Sequence, residues 1–247
     1  IVATIEARMT SSRLPGKVLK KINGISPLEC QVRRLQHSKF IDKIVIATTI
    51  NQTDDVIEEF ARSIGCDVFR GSEDDVMHRI LGASEAFKAE IQVQLTGDCP
   101  LADSKLIDQL ILYLMEHKAL DLVSNSIKRS YPIGLDCRIF KVSSLRKAEK
   151  LCKDPVHRTH GSTYLYDENN RSVFKTKNFI APKDFFYPNW RWTLDTQEDF
   201  NFLEKIFLHF DQDIFFISSE KIVEFLLSNP EILNINSHIR QKSIEEG

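Results

Sequence analysis

The segment Arg8 to Lys17 gathers three cations (Arg8, Arg13, Lys17), the hydroxyls of Ser11 and Ser12, and Pro15-Gly16. Backbone N–H groups and hydroxyls in such a turn can line a concavity while the cations offset negative charge, which suits a polyphosphate. It is not the G-x-x-x-x-G-K-[ST] nucleotide loop, because Gly16-Lys17-Val18 lacks the first glycine and the hydroxyl residue. The plainer account is a solvated basic turn. Gly97-Asp98-Cys99-Pro100 places a carboxylate behind an apolar run, and Asp195 follows Trp190 to Leu194 in the same way. Two carboxylates meeting opposite a phosphate-binding loop supply the hard oxygens that Mg²⁺ prefers; helix capping is the alternative for each. Gly71-Ser72-Glu73-Asp74-Asp75-Val76, with Arg79 after it, reads either as a capped helix start or as a nucleotide contact through Asp75 or Arg79.

These groups need a scaffold, and the first half of the chain provides an alternating one. Strands are expected at Ile1–Ile5, 43–48, 66–70 and 91–95, with helices at about 28–38, 54–64, 74–87 and 104–117, and a further short run at 120–124. Strand–helix alternation at this spacing predicts crossover units and a mostly parallel sheet covered by helices on both faces, a three-layer α/β fold. Ligands in such folds sit beyond the carboxyl ends of the strands, where the loops after the first and fourth strands lie. From about Tyr131 the pattern changes. Gly134 to Val142 reads as an extended arm. Helices are expected near 144–151 and 158–166, strands at 172–180 and 190–194. A helix opens at Thr196 with Phe200, Leu203, Phe207 and Phe210 on its buried face, and another is capped by Ser218 or Ser219. Ser243 to Gly247 reads as a loose end.

The chain has 247 residues, 33 Lys plus Arg and 35 Asp plus Glu, hence a net charge of −2. That is length enough to bury roughly 70–75% of the unfolded surface, and we expect one domain over 1–247. The charge balance argues against broad nucleic-acid binding while leaving room for one local anion site. No apolar stretch is long enough to span a membrane, and Ile1 to Arg13 does not read as an intact signal peptide. Cys30, Cys66, Cys99, Cys137 and Cys152 form no C-x-x-C pair, so buried reduced thiols and a cytoplasmic setting are expected rather than a disulfide scaffold or zinc site. The 16 phenylalanines are read as core packing and a subunit contact.

Five blocks in order carry a resemblance. They are Ala7 to Lys17; Val68 to Val76 with Arg79; Leu95-Thr96-Gly97-Asp98-Cys99-Pro100-Leu101; Tyr131-Pro132-Ile133-Gly134-Leu135-Asp136; and Trp190-Arg191-Trp192-Thr193-Leu194-Asp195-Thr196 with Glu198 and Asp199. Together they resemble the cytidylyltransferases that make CMP-activated acidic sugars, closest to the spore-coat polysaccharide branch, and cover about residues 1–208. The resemblance implies a nucleotide-diphospho-sugar transferase-like, Rossmann-like fold of the same class as the CMP-3-deoxy-octulosonate and CMP-sialate synthetases. It implies that Arg8, Arg13 and Lys17, with Ser11 and Ser12, hold CTP phosphates, and that Asp98 and Asp195 hold Mg²⁺. It also implies that residues 131–180 build both an acceptor pocket, with Tyr131, Gly134, Asp136 and Arg138 in it, and a homodimer contact. Three positions depart from the pattern. Thr10 replaces a glycine, Arg138 replaces the acid after Gly-Leu-Asp-x, and Thr159 replaces the acid of Arg-Glu-His, which makes the acceptor region more positive.

The reaction expected from the resemblance is attack of an acceptor oxygen, from a sugar acid, on the α-phosphorus of CTP with loss of pyrophosphate. Lys17, Arg13, Asp98 and Asp195 are the expected catalytic set. A phosphorylated acceptor is the nearest rival. Glycosyl transfer would ask for Asp-x-Asp at a strand end, whereas Asp211-Gln212-Asp213 follows a helix. A silent nucleotide binder is the non-enzyme reading; it predicts CTP binding without pyrophosphate release.

Overall fold

The computed structural model describes residues 1–242; the expected loose end at 243–247 lies outside the described residues. Strands β1 (Val2–Glu6), β2 (Lys43–Thr49), β3 (Asp67–Gly71) and β4 (Ile91–Thr96) alternate with helices α1 (Pro27–Leu35), α2 (Asp55–Ser63) and α3 (Val76–Ala86). The chain continues through α4 (Ser104–Glu116), β5 (Leu122–Ser124), β6 (Arg138–Lys141), α5 (Val142–Leu151), α6 (Pro155–Thr159), β7 (Thr176–Asn178), α7 (Gln197–Phe210), α8 (Ser219–Ser228) and α9 (Pro230–Leu233). All seven strands join one sheet in the order β3-β2-β1-β4-β6-β5-β7. Neighbours are parallel except for β6, which runs antiparallel to both β4 and β5.

Side-chain alternation assigns the faces. Ala3 and Ile5 of β1 and Val93 and Leu95 of β4 are buried in the larger core, beneath Leu28 and Leu35 of α1 and Leu110 of α4. The opposite face of β1 and β4 begins with Val2 but turns polar. Gln92 Nε2 donates to Thr4 Oγ1 at 2.7 Å, and Gln94 Nε2 to Glu6 Oε1 at 2.7 Å. A parallel sheet buried on both faces usually carries continuous apolar strands; here Thr4, Gln92 and Gln94 are polar yet buried, so their polar groups must be satisfied through these bonds. The sheet order reverses between β1 and β4, the switch point at which such folds bind ligands.

The second half differs from its expected elements. The segment expected as an extended arm instead supplies β6 within the sheet. Ile139 and Phe140 are both fully buried, so neighbouring residues on opposite faces both need cover, which a projecting arm does not give. The expected helix 158–166 is split into α6 and a 3₁₀ turn at Thr163–Leu165; Gly161, at φ +66°, breaks it. Trp190 to Leu194 forms no ladder. It is tied by a single bridge in which Ile133 N donates to Trp190 O at 2.8 Å and Trp192 N to Ile133 O at 2.6 Å. Its β-like composition serves packing, with Trp192 fully buried. On α7 the buried face is Phe202, Leu203, Ile206 and Phe207, and Phe200 and Phe210 sit at its margin.

Candidate active site

Lys17 organises the switch point. The turn from Arg8 to Lys17 leaves β1 and closes through Gly16 N donating to Met9 O at 3.0 Å. It delivers the Lys17 side chain, nearly buried, between two acids. Lys17 Nζ donates to Asp98 Oδ2 at 2.8 Å and to Asp195 Oδ1 at 2.7 Å. Asp98 is placed by the tight turn after β4, where Thr96 Oγ1 donates to its other oxygen at 2.6 Å. Leu194 N donates to Asp98 O at 2.8 Å, which pins the Trp190–Asp195 segment beside that turn.

Asp195 is fixed from behind. Arg191 Nη2 donates to its Oδ2 at 2.8 Å, and Arg13 Nη2 reaches the same oxygen at 3.1 Å. Arg191 also bonds Asp199 from Nε at 2.7 Å and from Nη2 at 3.0 Å. Asp199 in turn accepts from the backbone N–H of Asp195 at 2.9 Å and of Thr196 at 3.0 Å, closing a capping box on α7 with Thr196. The buried charges alternate in sign, so each ion has a hydrogen-bonded opposite, as a buried network requires.

Two cavities meet at this pair. One, of about 310 Å³, is lined by Arg8, Ser11, Ser12, Arg13, Lys17 and Arg79. The other, of about 360 Å³, is lined by Gly134, Asp136, Arg138, Arg129, Gln94 and Thr163. Glu6, Arg13, Thr96, Asp98, Thr159, His160 and Asp195 border both. The first has the cations and hydroxyls of a phosphate site and the second is a separate polar chamber, so two substrates can be held with their reacting ends beside Asp98 and Asp195.

Burial alone would lower the Lys17 pKa and raise that of Asp98. The charges and hydrogen bonds they exchange, with Asp195, Thr96 and Cys99 assisting, outweigh this: Lys17 is held above the ordinary lysine value and Asp98 well below the usual carboxylate range. Glu6 goes the other way, pushed up by burial against the opposing charges of Arg79 and Arg138 and the Gln94 hydrogen bond. The Asp98 shift has a consequence for acid stability. The unfolded chain takes up a proton at this position before the folded one. The contribution is complete above the ordinary aspartate value of about 3.9 and drains away as pH falls below it. The stability gap between wild type and Asp98→Asn in urea melts is expected to stay constant from pH 6 to about pH 5 and to narrow from there to pH 3; a gap that stays constant down to pH 3 would contradict the ion pair.

Both carboxylates reach one ammonium, so their oxygens converge on a single cationic position. That convergence fits a Mg²⁺ ion that takes two carboxylates and completes its shell with phosphate and water, provided that Lys17 turns toward the phosphates. Among the described residues, no group of three or more His, Cys, Asp or Glu side chains is placed to hold a metal unaided, and no helix is long and apolar enough to cross a membrane.

Most of the expected site residues assemble here, and two do not. Asp75 caps α3, accepting from His78 N at 3.0 Å, and binds Arg158; it borders neither cavity. Tyr131 packs on Phe185 and faces a separate hollow between α4 and α8. It lies outside the acceptor-side cavity because the chain turns at Pro132-Ile133 before Gly134 enters it. Asp136 is clasped by Arg129 through two bonds of 2.8 and 2.9 Å. Thr10 is not in the left-handed region; its hydroxyl donates to Glu73 Oε1 at 2.8 Å beside Arg8, at 3.0 Å from the same oxygen, so its β-carbon imposes no strain. Sequence reasoning missed Glu6, Gln94, Arg191 and Asp199. The Thr196–Asp199 spacing of a capping box was the one readable signal for the last pair. All five cysteines are buried, and burial pushes the Cys30 and Cys66 thiols up to about 12, which leaves them unreactive near neutrality.

Comparison with known proteins identifies the family. The family model described as cytidylyltransferase matches residues 2–223. An uncharacterised protein of Methanocaldococcus jannaschii, MJ1063, is 38% identical over 246 residues, covering 100% of this chain and 98% of its own. The spore coat polysaccharide biosynthesis protein SpsF of Bacillus subtilis is 29% identical over 239 residues, 94% of this chain and 95% of its own. The 3-deoxy-manno-octulosonate cytidylyltransferase of Geobacter sulfurreducens matches over 49% of this chain and 47% of its own, at 33% identity. Among solved structures, a cytidylyltransferase from Leptospira borgpetersenii superposes with a TM-score of 0.88 at 33% identity, covering 98% of this chain and 99% of that one. The chain therefore belongs to the cytidylyltransferase family and is a nucleotidyltransferase enzyme.

Proposed function

We propose that this enzyme transfers CMP from CTP to a sugar acid, releasing pyrophosphate, as a step in polysaccharide precursor activation. The observation that carries the reading is the Lys17 ammonium clasped by Asp98 and Asp195 where a cation-lined cavity meets a polar one. The name of the similar octulosonate cytidylyltransferase supports the donor and the class of acceptor, and that of SpsF supports the polysaccharide setting.

The triphosphate lies along the Arg8–Lys17 turn, with Arg8, Arg13, Ser11 and Ser12 contacting its oxygens. The acceptor occupies the cavity containing Gly134, Asp136 and Arg138. An acceptor oxygen attacks the α-phosphorus in line with the bridge to the β-phosphate. The new P–O bond forms as that bridging bond breaks, the acceptor hydroxyl's proton passes to solvent water, and pyrophosphate leaves with the bridging electron pair. Lys17 and Arg13 offset the charge that builds on the leaving group. Asp98 and Asp195 are the residues that would hold Mg²⁺, which when bound polarises the α-phosphoryl oxygens and lowers the pKa of an acceptor hydroxyl. Arg191 and Asp199 keep Asp195 oriented. The reading takes the enzyme as a homodimer of the cytoplasm; the buried free thiols support a reducing setting.

The test is pyrophosphate release with Mg²⁺, each of the four ribonucleoside triphosphates, and a panel of sugar acids and sugar phosphates. Release with CTP and a sugar acid is expected. Release only with another nucleotide, or only with sugar phosphates, would displace the reading, and CTP binding without release across the panel would favour a silent binder.

A further inference from the structure

The floor of the acceptor-side cavity contains a cation that the proposed transfer leaves unused. Strands β1, β4 and β6 lie side by side, and their register sets Thr4 opposite Gln94 and Gln94 opposite Arg138, on the polar face of the sheet. Arg138 borders the cavity. Its guanidinium carbon stands 5.7 Å from the centre of the Tyr166 ring, and its buried Nε finds no acceptor. No carboxylate among the described residues closes an ion pair with it. The two acids whose charge it feels are committed elsewhere: Asp136 to both terminal nitrogens of Arg129, and Glu6 to Gln94. A half-buried guanidinium with unused donors, backed by an aromatic ring, is a fork awaiting an oxyanion.

Its position fixes where on the acceptor that oxyanion must lie. Arg138 pairs with Gln94, four residues before Asp98, which at about 3.3 Å per residue sets its backbone roughly 13 Å from that of Asp98 at the reacting end. We propose that Arg138 binds a second anionic group of the acceptor, a carboxylate or phosphate borne at the end remote from the attacking oxygen. The acceptor is thus a sugar acid with a terminal oxyanion as well as its own carboxylate. The inference rests on the cytidylyltransfer reading above.

Two pairs of probes differ only in that terminal group: 3-deoxy-octulosonate against its 8-phosphate, and gluconate against glucarate. Each is titrated by calorimetry into full-length protein loaded with α,β-methylene CTP, whose binding is measured first. The wild type is expected to bind the doubly anionic member of at least one pair about tenfold or more tightly than its partner; which pair shows the gain separates phosphate from carboxylate. Arg138→Gln should erase the gain and Arg138→Lys should restore part of it, both binding the CTP analogue like wild type, which also shows that they fold. Equal affinities within both pairs, no binding of either doubly anionic probe, or a gain that survives in Arg138→Gln would overturn the proposal. Failure of the wild type to bind the CTP analogue would instead remove the reading beneath it.

Discussion

Lys17→Met is expected to lower the rate of pyrophosphate release about 1,000-fold, equivalent to roughly 4 kcal/mol of transition-state stabilisation. The same change should destabilise the fold by about 3 kcal/mol. The two losses have one origin. The ammonium is nearly buried and donates to both Asp98 and Asp195. Methionine fills its volume and removes the charge. Asp195 keeps Arg191 and Arg13, but Asp98 is left with Thr96 and the weak thiol donor of Cys99. An acid thus held loses the influence that keeps it ionised far below the usual range, so the variant's Asp98 should titrate upward. Urea melts and steady-state release assays read the two effects separately. A variant stable and active to within threefold of wild type would show that the ammonium is a bystander.

Gly134→Ala is the second large effect. Gly134 has φ +105°, a region that side chains rarely occupy, and a β-carbon there would lie 2.6 Å from the Trp192 carbonyl carbon and 2.7 Å from Thr193 N. Neither neighbour can yield, because Trp192 is fully buried and its N–H is bonded to Ile133 O. The strained conformation and the clash add, for an expected cost of about 3 kcal/mol or more. The displaced segment leads directly to Asp195, and a misplacement of about 1 Å at a reacting centre can cost about 100-fold in rate. The variant is therefore expected to melt earlier and to release pyrophosphate about 100-fold more slowly even where it remains folded. Loss of stability with full activity in the folded fraction would mean that Asp195 is positioned independently of the Ile133–Trp192 bridge.

The sequence was most legible where structure is local and periodic. β2 is a continuous apolar run, and β1 and β4 interleave apolar with polar residues; each appears within about two residues of its expected limits. The basic turn and Gly97-Asp98 declared themselves by composition at strand ends, and the parallel order of those strands brings the two together. What was hidden depends on contacts distant in sequence. Asp75 and Asp98 are both acids beside glycine-containing turns, yet one faces His78 N and Arg158 and the other faces Lys17, 81 residues away. Trp190 to Leu194 has the residue types of a strand, but they serve a buried crossing held by one bridge. Arg138 sits where an arm was expected because its β6 neighbours Ile139 and Phe140 need cover on opposite faces, which draws the segment into the sheet. Arg191 and Asp199 act through Asp195; the Thr196–Asp199 spacing announces a helix cap but not the bonds to Arg191 and Asp195.

Cytidylyl transfer requires that the acceptor become bonded to the α-phosphorus of CTP. Two reactions with Mg²⁺ and a sugar acid that supports pyrophosphate release, one with CTP labelled at the α-phosphorus and one at the γ-phosphorus, test it directly. The α-label is expected in the sugar fraction in step with pyrophosphate formation, and the γ-label only in pyrophosphate. Transfer of γ-label to the sugar, or retention of α-label wholly in CTP and its hydrolysis products, would contradict cytidylyl transfer.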